Sequence, residues 1–400
     1  MNYIDLFAGC GGLSEGFDSS GAYHGIAHVE WEAPMVKTLR KRLMMKHCYS
    51  EEEALKRVLH FDIQLTKQLV DGFASQVNFY TDNHEEFIQN GLKGIVGGNT
   101  VDLVIGGPPC QAYSIAGRAQ DKNSMKDDYR NYLFESFATI VDKFQPKLFV
   151  FENVQGILSA MPGDIPVLNR IFEAFAKIGY SIRSPEDQKK SLFNVNDFGV
   201  PQNRKRVIII GVRDDLNLSL ESIYKAIEQQ KTDYKPNLRD AIGDLPFLQP
   251  LKTPTKKISH GPASKEYVQN HSARFHNARD IGIFKEWIQQ NMNGKSLEEK
   301  LNFYHQKTGK ITNHNKYRSL DWNKPSPTIV SHLQKDGLLF IHPDAEQARS
   351  LTVREAAIIQ SFPIDFDFLG SQGHQYKMIG NAVPPLFAKK IAIALKEFLT

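Results

Sequence analysis

Short apolar runs of strand length recur through the first 215 residues, and they constrain the fold more than any other feature of this sequence. Many of the runs end in glycine, proline or an acidic residue, and segments with apolar residues at helical spacing lie between them. The predicted strands are 3–7, 25–29, 101–105, 148–151 and 207–212, and the clearest predicted helices are 133–144 and 167–178. This alternation predicts an α/β fold: a mostly parallel sheet covered by helices, with ligands at the carboxyl ends of its strands.

The alternation fades after about residue 216. Prolines interrupt polar, basic sequence as far as Pro327, and helical spacing returns only at 352–361 and 386–399. Because 400 residues exceed the usual size of one domain, we expect two. The first comprises residues 1–222 and 375–400, and the second, smaller and loop-rich, comprises residues 223–374. Residues 63–99 are longer than a simple connection requires, which indicates an extra helical excursion.

Basic charge is concentrated in one part of the second predicted domain. Between Lys252 and Arg318 there are thirteen Lys or Arg and five Asp or Glu, a net charge of +8, although the whole chain carries only +4. Aromatic residues such as Tyr267 and Trp287 are interleaved with these charges. The pattern fits a surface that contacts nucleic-acid phosphates, but a solvated charged face would look the same.

The three cysteines, Cys10, Cys48 and Cys110, are too few and too far apart for a disulfide framework or a zinc site. Neither a signal peptide nor an apolar run of 18 residues is apparent. We therefore expect a soluble, cytoplasmic protein that does not associate with a membrane. Cys10 and Cys48 we interpret as small buried hydrophobic residues.

A glycine-rich turn follows the first predicted strand. Its residues Phe7, Ala8, Gly9, Gly11, Gly12 and Leu13 can bring backbone close to a ligand. Glu30, followed by Trp31, ends the next predicted strand, where a carboxylate can accept hydrogen bonds from a ribose diol. The spacing differs from that of a dinucleotide-binding turn and suits S-adenosylmethionine, which has no pyrophosphate. Asp62 could contact the adenine amino group, or it could be an ordinary turn residue.

The strongest candidate for a nucleophile is Cys110. It follows an apolar strand through Gly106-Gly107-Pro108-Pro109, and the two prolines provide a stiff support for the thiol. Cysteine attacks as the thiolate. The polar segment that follows, with Ser114 and Arg118, is suited to closing over a phosphate backbone.

These motifs together resemble the bacterial cytosine-5 DNA methyltransferase family. The resemblance rests on Asp5-Leu6-Phe7-Ala8-Gly9-Cys10-Gly11-Gly12, Pro108-Pro109-Cys110-Gln111, Glu152-Asn153-Val154, Gln202-Asn203-Arg204-Lys205-Arg206 and Gly380-Asn381-Ala382-Val383-Pro384. It implies a Rossmann-like, S-adenosylmethionine-dependent methyltransferase sheet and a second target-recognition domain. The implied reaction is methyl transfer to carbon 5 of a flipped-out cytosine through a covalent adduct with Cys110.

The resemblance also assigns roles to residues outside the two loops. Glu152 would hold the ring nitrogen and exocyclic amine of cytosine, Arg206 would contact its carbonyl oxygen, and Arg204 would order Glu152. Pro108, Leu133, Asn381 and Val383 would be neighbours of the cofactor. Thr352 and Glu355 form a capping box within a segment that we interpret as structural.

Several functional expectations follow from the resemblance. The partner would be double-stranded DNA, no metal would be required, and the enzyme would act as a monomer on the nucleoid. A cognate restriction endonuclease could be encoded separately.

Three alternatives remain. An RNA cytosine-5 methyltransferase could share the scaffold, although the long basic insert favours duplex DNA. A nicotinamide-dependent oxidoreductase would share the glycine-rich turn and the acidic strand end, but it gives no reason for Pro-Pro-Cys-Gln or Glu-Asn-Val. A DNA-binding protein that has lost catalysis is disfavoured because the key residues are present.

Overall fold

The computed structural model describes residues 1–73, 82–109 and 133–400. This part of the chain divides into two compact units. The first unit contains residues 1–199, 204–233 and 382–400, and the second contains 200–203 and 234–381. The predicted domains, with boundaries at 222/223 and 374/375, and the function assigned to each of them stay predictions.

A central sheet organises the first unit, and the predicted α/β fold is confirmed. Within the described residues its strands are β1 Asn2–Leu6, β2 His24–Glu30, β3 Val58–His60, β4 Leu103–Gly106, β5 Leu148–Val154, β6 Tyr180–Ser181, β7 Leu192–Asn194 and β9 Lys205–Arg213. These eight strands lie in the order β3-β2-β1-β4-β5-β9-β6, with β7 also paired to β9. Strands β1 to β5 are parallel, whereas β9 runs antiparallel to β5, β6 and β7.

Helices connect these strands, and the two clearest predicted helices are confirmed at Leu133–Phe144 and Val167–Lys177. The predicted excursion within 63–99 contains two helices, α4 and α5. The helices of the first unit are α1 Gly12–Ser19, α2 Ala33–His47, α3 Glu51–Arg57, α4 Thr66–Asp71, α5 Glu85–Val96, α6 Leu133–Phe144, α7 Val167–Lys177, α8 Leu220–Glu228 and, beyond the second unit, α14 Pro385–Leu399.

Aromatic side chains fill the space between the sheet and helices α6 and α7. The rings of Phe149 in β5 and Phe175 in α7 stack with centroids 4.1 Å apart, and Phe137 packs edge-on against Phe151. Gly211 in β9 leaves room for this cluster, since a Cβ atom there would lie 1.9 Å from the Phe149 ring. The buried aromatic layer therefore fixes β5 and its polar carboxyl end against the rest of the sheet.

The C-terminal helix α14 belongs to the core of the first unit. Tyr23 donates a hydrogen bond to the carbonyl of Ala392 over 2.9 Å, and a Cβ atom at Gly16 would lie 2.4 Å from that of Ala388. By length and composition alone, Gln372–Leu399 could cross a membrane, but 67% of its apolar window is buried inside the fold. Burial within the fold therefore explains why this segment is so apolar.

The second unit has short strands, long connections and five described helices. Strands β10 Leu248–Pro250 and β11 His260–Pro262 form an antiparallel hairpin, and β8 Gln202–Asn203 pairs in parallel with β12 Ser326–Pro327. Trp287 is fully buried at the centre of a small core. The helices are α9 Leu238–Ile242, α10 Ala278–Gln289, α11 Leu297–Thr308, α12 Val353–Ile359 and α13 Gln372–Asn381.

Buried polar side chains support this second unit. The guanidinium of Arg349 binds both carboxylate oxygens of Glu355 over 2.6 and 2.7 Å. Burial alone would raise the pKa of Glu355, but the ion pair outweighs it and holds that pKa well below its usual range. The predicted capping box of Thr352 and Glu355 is present at the start of α12 and is confirmed.

We expect the second unit to lose stability as the pH falls from 7 to 5. Burial lowers the pKa of His260 to about 4 and those of His276 and His342 to about 3. In the unfolded chain a histidine takes up a proton near pH 6.5, so each buried neutral histidine costs up to about 2 kcal/mol of stability by pH 5. Urea unfolding, followed by the fluorescence of buried Trp287, should show a lower midpoint at pH 5 than at pH 7.

A matched substitution separates this effect from general acid sensitivity. His305 is exposed on α11, so His305→Gln should leave the pH dependence of the midpoint unchanged. His276→Gln should weaken that dependence, since it removes one proton-binding group of the unfolded state. A wild-type midpoint that does not change between pH 7 and pH 5 would contradict the expectation.

Candidate active site

The carboxyl ends of four neighbouring strands place the predicted site residues along one edge of the sheet. Leu6, the last residue of β1, pairs with Val29 of β2 on one side and with Gly106 of β4 on the other. Gly106 in turn pairs with Phe151 of β5. The glycine-rich turn, Glu30, the Pro-Pro segment and Glu152 therefore emerge side by side, as the parallel topology predicts.

The glycine-rich turn has a backbone that few residue types adopt. Phe7, Gly9 and Gly11 all have positive φ angles, of 59°, 59° and 92°. Gly11 is the N-cap of α1, and Ala8 donates a hydrogen bond to the carbonyl of Val29 over 3.0 Å. The turn is therefore held between β2 and the start of α1.

Glu30 fastens this turn from the neighbouring strand. Its Oε2 accepts from the backbone N–H of Gly9 over 2.8 Å, and its Oε1 accepts from those of Trp31 and Glu32 over 2.9 and 2.8 Å. Burial raises the pKa of Glu30, and these backbone donors oppose the rise. Since each carboxylate oxygen can accept two hydrogen bonds, Oε2 retains capacity for a ribose hydroxyl. Beside it, Trp31 is half exposed.

A buried polar network that the sequence did not reveal lies next to the turn. The hydroxyl of Ser14 donates a short hydrogen bond to Oδ2 of Asp5 and lies 3.1 Å from Nδ1 of His28. Oδ1 of Asp5 is buried without a hydrogen-bond partner in the described chain. Burial raises the pKa of Asp5 to about 8 and lowers that of His28 to about 4. A positive charge near this orphaned carboxyl oxygen would lower the pKa of Asp5 and favour its charged form.

Close backbone contacts bring Val383 to the turn. A Cβ atom at Gly12 would lie 2.4 Å from the carbonyl oxygen of Val383 and 3.1 Å from the Cβ of Ala382. Leu13 is buried in α1, and Leu133 is buried at the first described residue of α6. Asn381, in contrast, is exposed and belongs to the second unit. The structure thus brings the turn, Glu30 and Val383 together.

Asp62 makes the contacts of a turn residue, which is one of the two roles that the sequence allows for it. Its Oδ1 accepts from the backbone N–H of Gln64 over 3.0 Å, and its own carbonyl accepts from Leu65. Nearby, Nε2 of His60 lies 2.9 Å from the carbonyl oxygen of Trp31 and fixes the chain beside Glu30. The contact between Asp62 and adenine stays a prediction.

The segment that leads to Cys110 is held at Pro108. Asn153 donates from Nδ2 to the carbonyl of buried Pro108 over 3.3 Å, and its own Oδ1 accepts from the N–H of Val154. The amide of Asn153, to which the sequence gave no role, ties the Pro-Pro support to β5. Cys110, Ser114 and Arg118 lie outside the described residues.

Glu152 and Arg206 form an ion pair at the end of β5. Nε of Arg206 lies 2.7 Å from Oε1 of Glu152, and both side chains are about nine-tenths buried. A Cβ atom at Gly107 would lie 2.8 Å from Oε2 of Glu152. The carboxylate therefore lies against the backbone three residues before Cys110, held by a guanidinium whose planar donors fix its orientation.

Arg204 lies in the interior of the first unit. It is almost fully buried and donates from Nη2 to the carbonyl of Ala382 over 2.9 Å. This hydrogen bond orders the chain just before Val383, and the predicted role of Arg204 in ordering Glu152 stays a prediction. The predicted contacts of these arginines with a bound cytosine stay predictions.

The two remaining cysteines differ from each other. Cys10 is buried, as expected, but the prediction for Cys48 is wrong because this residue is exposed. It terminates α2 in the left-handed conformation, at a φ of 54°. In the described residues no group of three or more His, Cys, Asp or Glu could hold a metal ion.

Known proteins resemble this chain in sequence and in fold. The sequence profile described as C-5 cytosine-specific DNA methylase matches residues 1–74 and 59–397. The type II methyltransferase M.Bpa9945I of Bacillus paralicheniformis is 35% identical, over 100% of this chain and 99% of that protein. The type II methyltransferase M1.HphI of Haemophilus parahaemolyticus is 32% identical, over 100% of this chain and 88% of that protein.

Solved structures show the same fold at lower identity. An E. coli prophage protein assigned as a DNA modification methyltransferase aligns with a TM-score of 0.63 at 23% identity, over 100% of this chain and 99% of that one. The Dnmt2 methyltransferase of S. pombe aligns with a TM-score of 0.55 at 12% identity, with the same coverage of both chains. These two similarities concern the fold alone.

Proposed function

The chain belongs to the C-5 cytosine-specific DNA methylase family, and on that premise we propose that it is a DNA methyltransferase of a type II restriction-modification system. Its substrate would be one cytosine within a specific sequence of double-stranded DNA. The observation that carries the proposal is the buried Glu152–Arg206 pair, which lies against Gly107, three residues before Cys110.

The cofactor would be S-adenosyl-L-methionine, which supplies an electrophilic methyl group when it is bound. The backbone at Phe7, Ala8, Gly9, Gly11, Gly12 and Leu13 would approach it closely, and Oε2 of Glu30 would accept from a ribose hydroxyl. Trp31 would cover the adenine, and Val383 would close the site behind Gly12. Asp62, Pro108, Leu133 and Asn381 are further candidates for this site.

The chain's own residues account for activation of the cytosine. The target base must leave the stack before its carbon 6 can be reached, at a cost of a few kcal/mol. The thiolate of Cys110 then adds to carbon 6, which builds negative charge into the ring. Glu152 would share a proton with ring nitrogen 3, and Arg206 or Arg204 would donate to the carbonyl oxygen, so that this charge is stabilised.

The later steps regenerate the enzyme. Carbon 5, made nucleophilic by the addition, would take the methyl group as the bond between that methyl group and the cofactor sulfur breaks, which leaves S-adenosylhomocysteine. Carbon 5 would then give up its proton to a base. The electron pair of that C–H bond restores the ring as the Cys110 thiolate leaves carbon 6. Ser114 and Arg118 would contact the DNA around the extruded base.

The second unit would supply the contacts that select the target sequence. Its net charge of +8 between Lys252 and Arg318 is complementary to the negative charge of a DNA backbone. We expect the enzyme to act as a monomer in the cytoplasm, where a separately encoded endonuclease would cleave the same sequence when it is unmethylated.

Transfer of a labelled methyl group tests the proposal directly. The enzyme and labelled S-adenosylmethionine are incubated with duplex DNA or with structured RNA, and bisulfite sequencing then locates 5-methylcytosine. Label in one recurring DNA sequence supports the proposal, whereas label in RNA alone would replace it with RNA methylation. Gly12→Ala is the negative control, because its methyl group would collide with the Val383 carbonyl and prevent cofactor binding, measured by calorimetry.

A further inference from the structure

One hairpin of the second unit carries an unusual concentration of exposed charge. Strands β10 and β11 pair Leu248 with Pro262 and Pro250 with His260. The backbone pairing continues into the loop, where the N–H of Leu251 donates to Ser259 over 2.9 Å and that of Thr255 donates to Ile258 over 3.0 Å. All seven residues from 252 to 258 are exposed. We refer to residues 248–262 as the basic hairpin.

The base of the basic hairpin is fixed to the core of the second unit. Gln347 accepts from the N–H of Leu248 through its side chain, and its carbonyl oxygen lies 2.8 Å from Nε2 of His260. Ser259 is buried, and its hydroxyl lies 2.9 Å from Nδ1 of the same histidine. The exposed loop therefore projects from a rigid base.

The loop itself is also ordered by local contacts. The hydroxyl oxygen of Thr255 accepts from the N–H groups of Lys257 and Ile258 over 3.3 and 3.0 Å. Pro254 restricts the preceding backbone. A ligand of this loop would thus meet a largely preformed surface, which lowers the entropic cost of binding.

The charge of the basic hairpin is not balanced by neighbouring side chains. Lys252, Lys256 and Lys257 are exposed, and residues 248–262 contain no Asp or Glu. Throughout the described part of the chain, none of these three ammonium groups has an ion-pair partner. Other lysines of this unit do have one, such as Lys285 with Glu346 and Lys307 with Glu286. Three like charges on one turn repel each other, and a polyanion would relieve that repulsion.

We propose that the basic hairpin is an anchor for duplex DNA, in which Lys252, Lys256 and Lys257 each neutralise a backbone phosphate. The inference rests on the proposed function, because it assumes that duplex DNA is the substrate. A two-stranded β-ribbon fits the major groove, and lysines at its tip then reach the phosphates along the groove edge. Phosphate contacts of this kind position a protein without reading the sequence.

The salt dependence of DNA binding tests the anchor. The variant K252Q/K256Q/K257Q and the wild-type enzyme are titrated with fluorescent duplexes between 50 and 200 mM NaCl, and anisotropy gives the binding constant. Each lost phosphate contact should reduce the slope of log K against log salt by about 0.9, so the three together should reduce it by about 3. Across this fourfold rise in salt, the wild type should lose about 40-fold more affinity than the variant.

The matched control removes the same charge from the first unit. Lys177, Lys225 and Lys396 are exposed on helices α7, α8 and α14, and K177Q/K225Q/K396Q should change the slope by less than about 0.5. The hairpin variant should lose the same factor of affinity for target and non-target duplexes. Its affinity for S-adenosylmethionine should equal that of the wild type. An unchanged slope, or an equal loss in the control variant, overturns the anchor.

The outcome also separates the anchor from the function on which it rests. A wild-type enzyme that methylates DNA while the hairpin variant keeps its full salt dependence refutes the anchor alone. A wild-type enzyme that neither binds nor methylates duplex DNA refutes the proposed function itself.

Discussion

Replacement of Cys110 by alanine is expected to abolish methyl transfer and to leave cofactor binding intact. Without the thiolate, carbon 5 of cytosine is not nucleophilic enough to take the methyl group. Loss of a covalent nucleophile should therefore lower turnover by at least about 10⁴-fold. The proposed cofactor residues lie on the glycine-rich turn and at the end of β2, so calorimetry should give the wild-type affinity for S-adenosylmethionine.

A fluorinated target base distinguishes covalent catalysis from other causes of inactivity. A duplex with 5-fluorocytosine at the target position has no proton to lose from carbon 5, so the adduct should persist on a denaturing gel. Cys48→Ala is the matched control, since Cys48 is an exposed cysteine and its removal should affect neither turnover nor trapping. Retained turnover in the Cys110→Ala variant, or an adduct at Cys48, would refute the assignment.

The sheet was predictable because its strands are buried on both faces. Runs such as Leu148 to Phe151 are continuously apolar, and such runs between turn residues are typical of parallel strands covered by helices. The exact ends were less predictable: β5 continues through Glu152 to Val154, since pairing with β9 holds these polar residues in the sheet. Hydrophobic periodicity does not report such pairing.

Of the helices of the second unit, α12 was predicted within residues 352–361 and is confirmed, whereas α10 and α11 were not predicted. Their absence from the prediction has two causes. Helix α11 buries little apolar surface, with Phe303 as its one buried residue, so its apolar periodicity is weak. Its capping box of Ser296 and Glu299 was nevertheless visible in the sequence as Ser-x-x-Glu. Frequent prolines up to Pro262 indicate loops, but the helices α10 and α11 begin soon after them.

Within the site, the sequence identified residues better than it identified their contacts. Glu152 and Arg206 were both selected, but their ion pair depends on the cross-strand register of β5 and β9. The network of Asp5, Ser14 and His28 joins three elements, and no local pattern marks it. Register and packing between distant segments are tertiary properties, which explains why composition and spacing could not supply them.

Replacement of Glu152 by glutamine is the second substitution with a large expected effect. Glutamine keeps nearly the same shape but has no proton to share with ring nitrogen 3, so turnover should fall by about 10²- to 10⁴-fold. The change also leaves the guanidinium of Arg206 without its carboxylate partner in a mostly buried position. Steady-state kinetics should therefore show the loss mainly in kcat, with the affinity for S-adenosylmethionine unchanged by calorimetry.

A control variant and the 5-fluorocytosine duplex show whether the loss of kcat arises in the reaction of Cys110 with the cytosine. Glu135 is an exposed carboxylate on α6, and Glu135→Gln should retain wild-type kcat. The Glu152→Gln variant should form the Cys110 adduct much more slowly than the wild type, because the proton at ring nitrogen 3 is needed when the thiolate adds to carbon 6. A kcat within threefold of the wild type, or an unchanged rate of adduct formation, would show that Glu152 orders the strand end without taking part in the reaction.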